Sequence, residues 1–118
     1  MDGEISTDEV AASLDDEDRL RIIDIRSPGE FARGHIPGSE NVPFGELPDR
    51  IEEFADADHI VTVCPHGKAS VQAARLIGSY EGTTEATVES LAGGLSKWEG
   101  DLERAVEQAE NEGPDAPF

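Results

Sequence analysis

The chain has 118 residues, the size of one domain and too short for two sizeable cores; at that length about 65% of the unfolded surface can be buried without disulfides or a structural metal. Its 27 Asp and Glu against 9 Lys and Arg give a net charge of −18, a field that repels polyphosphates and anionic bilayers, so neither nucleic acid nor a membrane is an expected partner. Hydrophobic residues make up 36% and fall in clusters, which argues against a chain disordered throughout.

In chain order, Met1-Asp2-Gly3-Glu4 offers no basic stretch followed by an apolar one, so no secretory signal is expected there. No apolar run approaches the roughly 20 residues that cross a bilayer. Ser6 followed by Glu9 is a capping box, and Val10, Ala11 and Leu14 give the short helix behind it one apolar side. The acidic stretch Asp15-Asp16-Glu17-Asp18 ends it. Leu20 to Ile25 is short and β-branched, as expected of a strand buried on both faces, and Ser27-Pro28-Gly29 stops it. A turn or short helix through Glu30 to Arg33 precedes Gly34, and Asn41-Val42-Pro43 reads as a brief edge strand. Leu47, Ile51 and Phe54, four and three apart, predict a helix with Pro48 in its first turn.

His59 to Cys64 is the strongest strand signal, and Val71, Ala74 and Ile77 behind it recur at helical spacing over 69–77. Ala86 to Leu91 predicts a third core strand. Gly93-Gly94 then breaks the chain before Leu95, Trp98 and Leu102 resume a helical pattern, expected to pack into the core. Strands alternating with helices imply an α/β fold with a parallel sheet covered on both faces. The expected domain runs over 1–106, and the acidic, Pro- and Gly-bearing segment 107–118 is expected to be a flexible tail.

Chemistry concentrates at Cys64, the chain's single cysteine, which cannot form an internal disulfide and so fits a reducing, cytoplasmic setting. It stands where a buried strand ends and a six-residue loop, 64–69, opens into a helix. Ligands of α/β sheets collect beyond such strand ends. Unpaired N–H groups and the positive end of the helix dipole favour a thiolate there. Lys68 adds a full positive charge, and Gly67 lets the loop amides of 65–69 curl inward as a nest. His66 either supports the thiolate as imidazolium or faces solvent. One cysteine and three scattered histidines have no zinc spacing, so neither a metal nor another cofactor is expected.

Three blocks carry a resemblance. Asp24 to Pro43 (Asp-Ile-Arg-Ser-Pro-Gly-Glu-Phe-Ala-Arg-Gly-His-Ile-Pro-Gly-Ser-Glu-Asn-Val-Pro), Cys64-Pro65-His66-Gly67-Lys68-Ala69-Ser70, and Leu91-Ala92-Gly93-Gly94 with Trp98 make the chain resemble the rhodanese-like sulfurtransferase family from about Ile5 to Glu103. The resemblance implies a three-layer α/β fold with a central, mainly parallel sheet flanked by helices. It also implies a cysteine, Cys64, that accepts sulfane sulfur as a persulfide. The donor would be thiosulfate, a persulfide or a polysulfide, and the acceptor a thiol, cyanide or a protein. Asp24 and Arg26 at matching positions imply loop-organising roles, and Glu30 and His35 are expected to form a polar pair that fixes the turn. The dispersed carboxylates resemble those of haloarchaeal cytoplasmic proteins, whose self-repulsion concentrated salt screens.

The loop also departs from the family. Many members carry Arg at the fifth position after the cysteine and often directly after it, where this chain has Ala69 and Pro65. Guanidinium groups grip oxyanions with two parallel hydrogen bonds, whereas Lys68 is a point charge, so weak thiosulfate turnover is expected. Related phosphatases and arsenate reductases use a longer loop ending in Arg, which Ala69 and Ser70 do not supply, while Arg75 lies too far along the helix. Two other readings therefore stand beside the sulfurtransferase: a catalytically silent interaction module and, more remotely, phosphate chemistry.

Overall fold

The computed structural model describes residues 2–14 and 20–104, so the acidic stretch at 15–18 and the expected tail at 107–118 lie outside the described residues. Five strands form one sheet: β1 (Glu4–Ile5), β2 (Leu20–Asp24), β3 (Glu40–Asn41), β4 (His59–Val63) and β5 (Thr87–Leu91). Their spatial order is β1-β5-β4-β2-β3, with every pairing parallel. Helices α1 (Thr7–Ser13), α2 (Pro28–Arg33), α3 (Leu47–Arg50) and α4 (Ala69–Gly78) provide the crossovers that parallel strands require. The expected α/β class and the expected sheet are both present.

Side chains alternate across the pleat and so build two cores. On one face Ile23, Ile25, Ile60 and Val88 pack against Leu47 and Phe54 and against Ala73, Ala74 and Ile77 of α4. On the other Ile22, Val61, Val63 and Leu91 pack with Ile5, Val10 and Ile36. Burial on both faces explains the β-branched run from Ile60 to Val63 in β4 and the adjacent Ile22 and Ile23 of β2. At the start of β2, Arg21 reaches Glu40 through Nε at 2.9 Å and Nη2 at 2.7 Å, and its guanidinium lies 5.1 Å from the centroid of the Phe54 ring.

Three expectations change. The segment expected as one helix through Leu47, Ile51 and Phe54 is α3 followed by a 3-10 turn over Ile51–Phe54. The sequence spacing matches the break, since four residues separate the first pair and three the second. The helix expected through Leu95, Trp98 and Leu102 is a single 3-10 turn, Gly94–Lys97, after which Trp98 is extended and its indole Nε1 donates to the Asp101 carbonyl at 3.2 Å. Leu95 and Trp98 pack on the second core, but Leu102 is exposed. Finally, β1 was not expected, because two residues are too few to show a period.

The topology fixes where a site can form. The chain leaves β2 for β3 on one side of the sheet and leaves β4 for β5 on the other, so the carboxyl ends of β2 and β4 flank the switch point. Asp24 is in register with Val63 there, and the Ile25 amide donates to the Val63 carbonyl at 3.0 Å. Asp24 and Cys64 are brought to the same end of the sheet by this register.

Candidate active site

Cys64 follows the last residue of β4 and is 2% exposed. Its sulfur is ringed by donors. The Gly67 amide donates to Sγ at 3.1 Å and the Ser70 amide at 3.3 Å, while Ser70 Oγ lies 3.3 Å from Sγ. As a thiol, the sulfur donates to that hydroxyl; once ionised, it accepts from it. A second hydroxyl, Ser90 Oγ on β5, is 2.7 Å from Ser70 Oγ and holds it in place. Both serines are fully buried.

The loop folds this way because α4 has no side-chain cap of its own. The first amides of a helix lack intrahelical acceptors, and here the sulfur accepts from Ser70, the second residue of the helix, as a capping oxygen would. Gly67 makes the turn possible with φ at 85°, and the loop is braced from below by the Gly93-Gly94 pair. Leu95 N donates to Cys64 O and Ser96 N to Pro65 O, each at 2.9 Å. A Cβ on Gly94 would lie 2.6 Å from Gly67 N and 2.7 Å from His66 N and would overlap the Cys64 carbonyl oxygen. The third sequence block therefore exists to support the second.

Burial raises the Cys64 thiol, since a charge is disfavoured away from water, but the Ser70 hydroxyl and the amides of Ser70, Gly67 and His66 outweigh it and leave the thiol below its ordinary range. Ser70→Ala removes the hydroxyl from this balance. The expected result is an upward move of about one pH unit in the midpoint of Cys64 alkylation by iodoacetamide, because a hydrogen bond to a charged group is worth about 1.5–3 kcal/mol. An unmoved midpoint would show that the amides alone set the ionisation.

The nest differs in detail from the expected set of amides at 65–69. Pro65 has no N–H, and beside the His66 amide the sulfur accepts from the amides of Gly67 and of Ser70, the last one position beyond the expected range. Pro65, His66 and Lys68 are exposed, Ala69 is half-buried, and Gly67 is buried. Ala69 and Ser70 end the loop without a guanidinium, and Arg75 is exposed on α4.

The residues expected to support the loop separate into two groups. Asp24 Oδ1 accepts from the Arg26 amide at 3.0 Å and from its Nε at 2.9 Å, and Oδ2 accepts from Nη2 at 2.8 Å. The same Nη2 donates to Gly34 O at 2.7 Å, while Asn41 Nδ2 donates to the Asp24 and Arg26 carbonyls. This pair ties the end of β2 to α2 and β3. Glu30 and His35, however, do not pair with each other. Glu30 belongs to the α2 cap, its amide donating to Ser27 Oγ at 3.3 Å. His35 Nδ1 lies 2.8 Å from Phe31 O, its ring stacks on that of Phe31 at 3.8 Å, and its Nε2 is 3.7 Å from Glu103. Beyond the end of α2, the extended Gly34 and the bridge of His35 to Glu103 place the His35 ring on Phe31.

Sequence reasoning missed Ser70, Ser90 and the bracing function of Gly94. The first was legible as the donor-bearing residue opening α4. The second was not, because Ser90 meets the loop only through the pairing of β5 with β4.

Comparison with known proteins agrees with this architecture. The family model for the rhodanese-like domain matches residues 6–101. Thiosulfate sulfurtransferase GlpE of Stutzerimonas stutzeri is 40% identical over 92 residues, covering 77% of this chain and 81% of that protein. "Putative sulfur carrier protein YrkF" of Bacillus subtilis is 32% identical over 100 residues, covering 85% of this chain and 52% of that protein, so the chain spans about half of that relative's length. Among solved structures, the rhodanese-like domain protein from Staphylococcus aureus superposes with a TM-score of 0.71 at 27% identity, covering 88% of this chain and 98% of that one.

Proposed function

This chain belongs to the rhodanese-like domain family, and on that premise we propose that it is a sulfurtransferase or sulfur carrier that moves sulfane sulfur through a persulfide on Cys64. The single observation that supports the reading most is the ring of Gly67 N, Ser70 N and Ser70 Oγ around one sulfur at 3.1–3.3 Å. Such a ring stabilises an anion on that atom and on a sulfur bonded to it.

In the first half-reaction the Cys64 thiolate attacks the outer sulfur of a donor such as thiosulfate. A new S–S bond forms, the donor's S–S bond breaks, and sulfite leaves with the electron pair. The persulfide anion that remains stays within reach of the loop amides. In the second half-reaction a thiolate or cyanide attacks the outer sulfur, and Cys64 departs as thiolate. Two steps through one covalent intermediate give ping-pong kinetics. Asp24 and Arg26 act only by fixing the end of β2, beside the end of β4 from which the loop springs.

Intact-mass measurement after incubation with thiosulfate or polysulfide tests the reading. The expected product is heavier by one sulfur atom, carried on Cys64 and discharged by cyanide. A protein that keeps its mass with every donor is the silent interaction module instead. Phosphate-monoester hydrolysis in place of sulfur uptake would favour the phosphatase alternative, which the loop's lack of a terminal Arg argues against.

A further inference from the structure

The chain has only two lysines, Lys68 and Lys97, among 27 acidic residues, and both stand at the loop that holds Cys64. Three of the arginines are engaged elsewhere: Arg21 with Glu40, Arg26 with Asp24, and Arg50 with Glu46 and Glu53. Neither lysine has an ion-pair partner among the described residues, and both are exposed. Lys68 is the last loop residue before α4. Lys97 is distant in sequence, and the fold returns it.

Contacts around the glycines show how close it comes. The Lys97 stem lies over Gly93, where a Cβ would overlap Lys97 Cγ and stand 3.3 Å from Lys97 Cβ and 3.5 Å from Cδ. Gly93 in turn backs directly on Gly67, since a Cβ on Gly67 would meet Gly93 N at 3.0 Å and its Cα at 3.3 Å. The Gly67 amide donates to Cys64 Sγ at 3.1 Å. Lysine stem, two bare glycine backbones and sulfur are thus stacked in sequence, and the turn that carries Lys97 is held by the bond from Ser96 N to Pro65 O. A side chain at 93 would displace the Lys97 stem, and one at 67 would press on the Gly93 backbone.

From this stacking we propose that Lys97 is a specificity-determining residue that, with Lys68, selects an anionic sulfur donor in place of the guanidinium missing at position 69. The assignment rests on the sulfurtransferase reading for the nature of the ligand, but not for the electrostatics. A molecule of net charge −18 repels anions on average, and two exposed cations, one in the loop and one on the turn packed behind it, oppose that locally. Rim charges of this kind act on capture more than on the chemical step, so Lys97→Gln raises KM for thiosulfate about threefold to tenfold and leaves kcat within about twofold.

The test compares alkylation of Cys64 by iodoacetate, an anion, with that by neutral iodoacetamide, read by intact mass in samples whose circular dichroism is unchanged. The ratio of the two rates corrects for any change in thiol ionisation or access. Lys97→Gln is expected to lower the iodoacetate-to-iodoacetamide ratio about threefold to tenfold, and Lys97→Arg to keep it within about twofold of the parent. A ratio unmoved by Lys97→Gln overturns the assignment, as does a sulfur that neither reagent reaches. If the ratio follows Lys97 in a protein that never takes up sulfur, Lys97 stands as the anion-selecting residue and the sulfurtransferase reading falls.

Discussion

Replacing Cys64 with Ser is expected to reduce sulfur transfer to the uncatalysed background while leaving the fold in place. An alkoxide is far harder to form than a thiolate, and it cannot take up sulfane sulfur as a persulfide. Serine is the informative substitution because the sulfur has a structural duty as well. It accepts from the amides of Gly67 and Ser70 in a nearly fully buried position. Alanine would leave both donors without an acceptor, at about 1–3 kcal/mol for each buried group, and would confuse a catalytic loss with a local collapse. A serine oxygen still accepts, so unfolding in urea should place Cys64→Ser within about 1 kcal/mol of the parent. Retained transfer in this variant would show that another group carries the sulfur.

The second large effect is expected far from the nucleophile in sequence. Gly94→Ala places a methyl 2.6 Å from Gly67 N and 2.7 Å from His66 N, against backbone that cannot rotate away, at a φ of 66° where residues with a Cβ are strained. Left-handed strain alone costs about 1–3 kcal/mol, and displacing the loop adds to it. The expected loss is about 3 kcal/mol or more, which for a domain of this size lowers the melting temperature by roughly 10 °C or more. Sulfur loading falls with it, because the amide pushed aside is one that holds the sulfur. Gly29→Ala is the matched control: nothing lies within 4 Å of its new methyl, and the position is in α2. Its effect should stay within about 0.5 kcal/mol. Equal melting temperatures for the two variants would mean that the glycine pair does not brace the loop.

These two positions show what the sequence could and could not reveal. Period and residue type made β2, β4, β5 and α4 legible, because strands buried on both faces and a helix with one apolar face leave unmistakable patterns. The thiol at a strand end before a helix was legible for the same reason, since backbone geometry alone supplies its amides. Ser90 was silent because its role depends on the register of β5 beside β4, and register is a property of two segments together. His35 misled for a related reason: a polar neighbour, Glu30, was available in sequence, yet the α2 backbone placed Phe31 under its ring instead. Lys97 had no local signal at all. Only the approach of two glycines, one from each block, brings its stem behind the loop that holds the sulfur.

The account depends on the claim that the loop lowers the Cys64 thiol below its ordinary range against the cost of burial. The most direct measurement is the pH dependence of Cys64 alkylation by iodoacetamide in the unmodified protein, followed by intact mass. The predicted midpoint lies below the ordinary value for a free cysteine. A midpoint at or above that value would mean that burial wins over the donors of Gly67 and Ser70, and would contradict the account.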